Sequence, residues 1–313
     1  METFRGIQTV SRSFSNPVIT IGNFDGVHLG HQQIIRLAVE KARASGGTAI
    51  AYTFRPHPQQ ALRPGTQIQL LTTYDEKLEL LAQTGIDVTI EEPFSREFST
   101  VSPKDFFTEM LLKRLGARAI VVGYDFAFGK ERQGSLQALE ELCKGAGVEL
   151  TVVSPQRIEG EIASSSKIRQ YLLAGEVDSA SRLLGREFFY RGIVVKGEGR
   201  GRKLGFPTAN LKIENKLTLP YGVYATWARC EALFPGQLLP SVTNVGVRPT
   251  FEGKELPALV ETHLFDRTVD LYGNVFEVRF VKRLREERKF PGIDALKAQI
   301  SADSESAKTI LKG

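Results

Sequence analysis

Two of the four histidines in this chain stand three positions apart in GNFDGVHLGH, residues 22–31. Two imidazoles that close can hold a metal ion or grip an anion. A zinc site needs a third and a fourth ligand. Beyond His28 and His31 the chain has only His57 and His263, and Cys143 and Cys230 show no ligand spacing, so carboxylates would have to be recruited. An anion asks less. Gly22, Gly26 and Gly30 surround the turn, where missing side chains let backbone amides approach, and the helix that follows aims its positive end at the same spot. A purely structural role for the pair is the third reading. Phosphate contact fits these residue types best.

A second segment points the same way. IASSSKIRQYLL, residues 162–173, places Ser164, Ser165 and Ser166 before Lys167 and Arg169 at a helix start. One serine would cap the helix; three with two cations exceed a cap, and hydroxyls beside a guanidinium match phosphate oxygens. In VGYDFAFGKERQG, residues 122–134, Asp125, Phe126 and Phe128 either line a pocket for a planar group or serve as a helix cap and core aromatics. Farther on, GEGRGRKLGFPTANL (197–211) offers backbone amides at Gly199, Gly201 and Gly205 and the charge of Lys203 to phosphates, or else is a basic hairpin. Its Thr208 and Asn210 can coordinate a hard cation such as Mg²⁺. In VETHLFD (260–266), alternation puts Val260, Thr262 and Leu264 on one face and Glu261, His263 and Phe265 on the other, so Glu261 is either a surface charge or a site residue.

Two kinds of element must position these residues. Over 17–153, apolar strand-like runs (VITIG, TAIAYTF, DVTIEEPF, RAIVVGYDF, VELTVV) alternate with helical patterns at 31–44, 75–85, 102–116 and 135–147. That alternation predicts βαβ units and a parallel sheet, whose ligands bind beyond the carboxyl ends of its strands at a switch in strand order. After a helical stretch at 166–185, closely spaced runs from Phe188 to Leu284 predict an antiparallel barrel or sandwich, and the polar tail one or two helices. The expected division is 1–186 and 187–313. The 313 residues suffice for two cores. No apolar run approaches the ~20 residues of a membrane span, and no signal-peptide core opens the chain. The unpaired cysteines predict a reduced, cytoplasmic protein. A net charge of +5, spread along the chain, suits anionic small molecules and does not argue for nucleic acid.

Taken together, the motifs resemble those of a known family. GNFDGVHLGH is similar to the H-x-G-H signature of nucleotidylyltransferases and SSSKIR to their second signature. With G-Y-D-F-x-F-G between them, the set resembles the adenylyltransferase half of the prokaryotic bifunctional riboflavin kinase/FMN adenylyltransferases. G-R-G-x-x-L-G-F-P-T-A-N, PYGVYATW, TNVGVRPTF, VETHLFD and DLYGNVFEVRFVKRLREERKF resemble the riboflavin kinase half. The resemblance implies a Rossmann-like α/β domain followed by a six-stranded Greek-key barrel with a C-terminal helix. It implies that the barrel turns riboflavin and ATP into FMN, and that the α/β domain turns FMN and ATP into FAD and pyrophosphate. Gly22, Phe24, Asp25, Gly26, His28, His31, the three serines and Arg169 would then hold ATP. Mg²⁺, brought with ATP, would sit at Thr208 and Asn210, and Arg285 near the flavin ring. A hydroxyl nucleophile must lose a proton as it attacks, and Glu261 is the candidate base. The expected partners are these small molecules, with neither nucleic acid nor membrane, in a monomer or weak homo-oligomer and with no tightly bound metal. The alternatives are a flavin-binding protein, which would not need His28, His31 and Glu261 together, or an enzyme with one live activity.

Overall fold

The computed structural model describes every residue except 64–67, 198, 200, 202–203, 214–215, 247–258, 268 and 313, together with the side chain of Arg132. The chain forms two compact units, Met1–Ser165 and Ser166–Gly313.

In the first unit the expected alternation is present. β1 (Glu2–Phe4), β2 (Val18–Ile21) and α1 (Leu29–Ala44) are followed by β3 (Ala49–Arg55), the short α2 (Pro58–Leu62) and α3 (Tyr74–Ala82). Then come β4 (Val88–Pro93), α4 (Pro103–Asp105) running into a π-helical segment (Phe106–Arg114), β5 (Ala119–Gly123), α5 (Leu136–Ala146) and β6 (Glu149–Val153). The six strands lie all parallel in the order β1-β4-β3-β2-β5-β6. All four residues of β2 are buried, as a strand covered on both faces requires. One face packs Ile35, Ala38 and Ala42 of α1 on Val18, Ala49 and Val121. The other packs Phe106, Phe107, Leu111 and Leu139 on Ile19, Tyr52 and Ile120. The order changes direction at β2, which pairs with β3 on one side and β5 on the other. The histidine turn leaves β2 at that switch point. β1 has three residues, too few to show a period in the sequence.

A two-stranded ribbon, β7 (Arg157–Ile158) and β8 (Glu161–Ile162), ends the first unit. The second begins with α6 (Ser165–Ala174) and α7 (Val177–Leu184). It continues with β9 (Phe188–Val195), β10 (Ala209–Ile213), β11 (Gly222–Arg229), β12 (Leu239–Gly246), β13 (Leu259–Leu264), β14 (Val275–Glu286) and α8 (Ile293–Lys312). The strands close an antiparallel barrel in the order β10-β13-β12-β11-β14-β9. The change of pattern near 186/187 falls inside the second compact unit, where α7 packs on β9 and β14.

The barrel interior is filled. Tyr190, Tyr224 and Phe280 meet edge to face at 5.1 and 5.3 Å. Beside them Thr226, Ser241, Thr243 and Thr262, all buried, pass hydroxyl hydrogen bonds across three strands at 2.8–2.9 Å. Six strands leave no lumen for a ligand, so any site must lie on the wall or rim. Part of the outer wall is covered by α8, whose Ala307 joins Val223, Ala225, Val242 and Phe265.

Candidate active sites

The turn from β2 into α1 is tightly wound. Phe24, Gly26 and Val27 have positive φ of 49°, 83° and 38°. For a β-branched residue such as Val27 this is a strained conformation, of the kind that persists where the surroundings enforce it. His28 is the N-cap of α1: its Nδ1 accepts the amide N–H of His31 at 3.3 Å. The two imidazoles stack at 3.6 Å between centroids, and Phe24 meets His31 edge-on at 5.3 Å. With Nδ1 accepting, His28 carries its proton on Nε2 and can donate from there. Burial, then neighbouring His28 and Lys77, hold the His31 imidazole well below the usual histidine range. Its Nδ1 is buried with no partner among the described residues. Gly30 is required by packing, since a Cβ there would meet the Ala163 carbonyl at 3.0 Å and the His28 ring at 3.1 Å. A Cβ on Gly22 would meet the Phe24 ring at 3.0 Å.

Distant segments hold the turn. The buried Asp25 carboxylate accepts the amides of Leu71 (2.9 Å) and Thr72 (3.3 Å), and Gly26 N–H donates to Thr72 Oγ1. Asp25 is thus engaged in fixing the loop before α3. Ser165 Oγ donates to the Asp25 carbonyl at 2.9 Å, joining the serine segment to the histidine turn. That hydroxyl has one proton and it is already directed. Ser164 is half-buried; Ser166 is exposed and, with Lys167 and Arg169, belongs to the second unit, where Lys167 lies over the Tyr171 ring at 4.7 Å. After β5, Asp125 is exposed. Phe126 and Phe128 stack at 5.4 Å, Phe128 buried in the core cluster and Phe126 packed against it. Of the two readings, Phe128 follows the core one.

On the barrel, strand register builds a second constellation. Asn210 of β10 and Asn244 of β12 both stand directly opposite Glu261 of β13. Burial alternates along β13, with Val260, Thr262 and Leu264 inside, so Glu261 sits half-buried on the outer face. The glycine-rich segment lies against the oxygen-bearing side chains. A Cβ on Gly197 would meet the Asn210 amide at 2.4 Å, and one on Gly201 would meet Thr208 Oγ1 at 3.2 Å. Gly199 and Gly205 turn the chain with φ of 69° and 90°. Lys203 falls outside the described residues. His263 Nδ1 donates to the Pro207 carbonyl at 2.8 Å, steadying the loop that bears Thr208. A cavity of about 50 Å³ opens beside Thr208, lined also by Val194, Arg267, Asp270 and Tyr272.

Arg285, expected near a flavin ring, is otherwise engaged. Its Nε and Nη2 donate to the buried Asp303 carboxylate of α8 at 3.0 and 2.7 Å, and Nη1 to the Glu286 carbonyl. A guanidinium held by two carboxylate oxygens anchors a helix. Asn244, Gly197 and Lys77 escaped the sequence reading. Gly197 and Asn244 lay within quoted motifs, but only strand pairing assigns them neighbours. Among the described residues no three His, Cys, Asp or Glu side chains cluster as a metal site.

Comparison with known proteins finds one family in each half of the chain. Residues 10–167 match the FAD synthetase family and residues 184–311 the riboflavin kinase family. Proteins named bifunctional riboflavin kinase/FMN adenylyltransferase match nearly end to end. That of Bacillus subtilis (strain 168) is 38% identical, covering 93% of this chain and 91% of its own. That of Escherichia coli (strain K12) is 35% identical, covering 98% and 97%. A solved structure described as a macrolide-efflux protein from Streptococcus pneumoniae superposes with a TM-score of 0.88 at 31% identity, over 98% of each chain. No helix among the described residues is long and apolar enough to cross a membrane. With both families matched in order and bifunctional relatives aligned over almost the whole length, the chain belongs to the bifunctional riboflavin kinase/FMN adenylyltransferase family.

Proposed function

We infer that the chain is a two-site enzyme that makes FAD from riboflavin and two ATP: riboflavin kinase and FMN adenylyltransferase in one polypeptide. The observation that carries the residue assignment is that two differently built polar constellations exist, one in each unit. We assign adenylyl transfer to residues 1–186 and phosphorylation to 187–313.

In the kinase reaction the attacking group is a neutral hydroxyl, which must lose its proton as its oxygen bonds to the γ-phosphorus of ATP and ADP departs. Glu261 takes that proton. Its position between Asn210 and Asn244 supports the role, because amide groups beside a carboxylate fix its orientation. Thr208 and Asn210 offer hard, neutral oxygens, which suits Mg²⁺ carried in with ATP rather than a resident metal. Bound there, Mg²⁺ neutralises charge on the transferring phosphates. Gly199, Gly201 and Gly205 bring backbone close to them.

In the second reaction the FMN phosphate is already anionic. Its oxygen attacks the α-phosphorus of ATP, the bond to the β-phosphate oxygen breaks and pyrophosphate leaves. No base is needed, and catalysis rests on donors that meet the leaving charge. His28 Nε2–H and His31 are such donors. The unpartnered, buried Nδ1 of His31 and the joining of Asp25 to Ser165 support an anion at the turn. Arg169 adds charge in this reading, and Asp125 and Phe126 border the flavin. Both cysteines are buried free thiols, in keeping with a cytoplasmic setting. Incubation with riboflavin, Mg²⁺ and ATP, followed by chromatography of the flavins, tests the whole: FMN and then FAD should appear, and the absence of both would overturn it.

A further inference from the structure

The histidine turn is short of charge. Burial disfavours the charged form of His31, so that ring offers a dipole rather than a charge. At His31 a triphosphate carrying several negative charges would meet an uncharged ring, so a full positive charge fixed close by strengthens the hold.

Lys77 is such a charge, and its placement is unusual. It is carried by α3 and is only 3% exposed. A lysine stem is long enough to lead its ammonium to water. Here Nζ is instead turned inward, donating to Thr53 Oγ1 and to the Phe54 carbonyl, both at 3.0 Å. Both partners are neutral oxygens. Thr53 in turn donates to the carbonyl of Asn23, inside the turn, at 3.2 Å. Two hydrogen bonds thus connect a buried ammonium at the carboxyl end of β3 with the backbone that presents the histidines. The charged and titratable groups facing it are Asp25 and His31 from the turn and α1, Arg55 from β3, Arg5 from the segment after β1, and the Tyr74 ring at 5.3 Å on its own helix. A buried cation with no carboxylate at hydrogen-bond distance among the described residues is expensive for folding alone.

We propose that Lys77 is a positioning residue of the adenylyl-transfer site: its fixed ammonium supplies positive field for the ATP phosphates and, through Thr53, holds the turn that presents His28 and His31. It does not touch the reacting atoms. The proposal rests on the assignment of adenylyl transfer to this turn.

A lysine that merely ties α3 to β3 makes a different pH prediction. Burial pushes the Lys77 ammonium down to about 8, with Asp25 opposing and Arg55 and Arg5 reinforcing. The unfolded chain therefore binds more protons than the folded one from about pH 8 to the ordinary lysine value. Across that window the Lys77 contribution to stability rises with pH. A positioning charge behaves oppositely, since its loss above pH 8 weakens the hold on ATP. Stability and ATP affinity should separate.

The experiment follows FAD formation from FMN and ATP by the full-length protein between pH 7 and 9.5, with FMN formation from riboflavin as internal control. In the native protein the KM for ATP in FAD formation should climb above pH 8. Lys77→Met should raise that KM on the order of tenfold at pH 7, as expected for a unit charge acting over roughly 10 Å at an effective dielectric near 20, and abolish the climb. Its FMN formation should be unchanged. Lys77→Arg should keep the low KM and move the climb out of the range. Should the methionine variant fail to fold, Thr53→Val provides the second test, with a smaller rise in KM and the climb retained. An unchanged KM and pH profile in Lys77→Met, or an unchanged KM in Thr53→Val when that is the variant that folds, overturns the proposal. If His28→Ala leaves FAD formation intact, the assignment of the turn falls and Lys77 with it. If His28→Ala abolishes FAD formation while Lys77→Met changes neither KM nor profile, only the Lys77 proposal falls.

Discussion

The histidine turn and the outer face of the barrel are built by opposite means. The turn is buried, with positive φ at Phe24 and Val27, and is pinned by Thr53, Leu71, Thr72 and Ser165 from far along the chain. The Asn244–Glu261–Asn210 row is unstrained, three residues set side by side by ordinary antiparallel register on the wall of a filled barrel. The contrast matches the two nucleophiles. An anionic phosphate needs no base, so its site is made of immobilised donors, and immobilising backbone requires many anchors. A hydroxyl needs a base, and one carboxylate at a defined place on a strand suffices.

Each half of that comparison can be broken separately. The largest effect is expected at Glu261. Removing a general base costs about 10²–10⁴ in rate, so Glu261→Ala should all but stop FMN formation while FAD still forms from supplied FMN. Loss of both products in the flavin chromatogram would refute the separation. Next comes the double variant His28→Ala, His31→Ala, which should slow FAD formation by about 10²–10³, the scale of lost transition-state donors, while FMN accumulates. Gly30→Ala is milder. Its Cβ would press on the His28 ring and the Ala163 carbonyl, and about a tenfold loss confined to FAD formation is expected, since small misplacements at a site of this kind are felt. Asp303→Ala should leave Arg285 unpaired against α8 and lower stability by about 2 kcal/mol, read by denaturant unfolding of the intact chain, with catalysis by the α/β unit unaltered. The smallest effect sharpens the role of His28. His28→Asn keeps an N-cap oxygen, so stability should stay within about 0.5 kcal/mol although the imidazole donor is gone. Retained FAD formation in that variant would reduce His28 to a cap.

Much of this was legible in the chain. The runs VITI, AIAYT and AIVVG read as buried parallel strands because covering both sheet faces demands continuous apolar sequence, and they are strands β2, β3 and β5. Alternation in VETHL correctly separated inward from outward residues on β13. The helical stretch between the two patterns is harder to assign, since a helix pattern does not say which neighbour its apolar face will meet. Phe128 and Arg285 illustrate the same limit. A phenylalanine or a guanidinium suits a ligand pocket and a core or ion pair equally well, and only the folded chain shows Phe106 packed on one and Asp303 paired with the other.

What the sequence determined by itself is therefore local: periods of burial, helix starts, and the residue types able to meet phosphates or take a proton. What the tertiary structure decided is which of them meet. Asp25 finds Ser165 across 140 positions and Leu71 across 46. Asn244 faces Glu261 only because β12 and β13 pair in one register, and Lys77 turns inward because α3 lies over the end of β3. These contacts form between segments distant in the chain, and their free energy depends on burial and register that no short window of sequence contains.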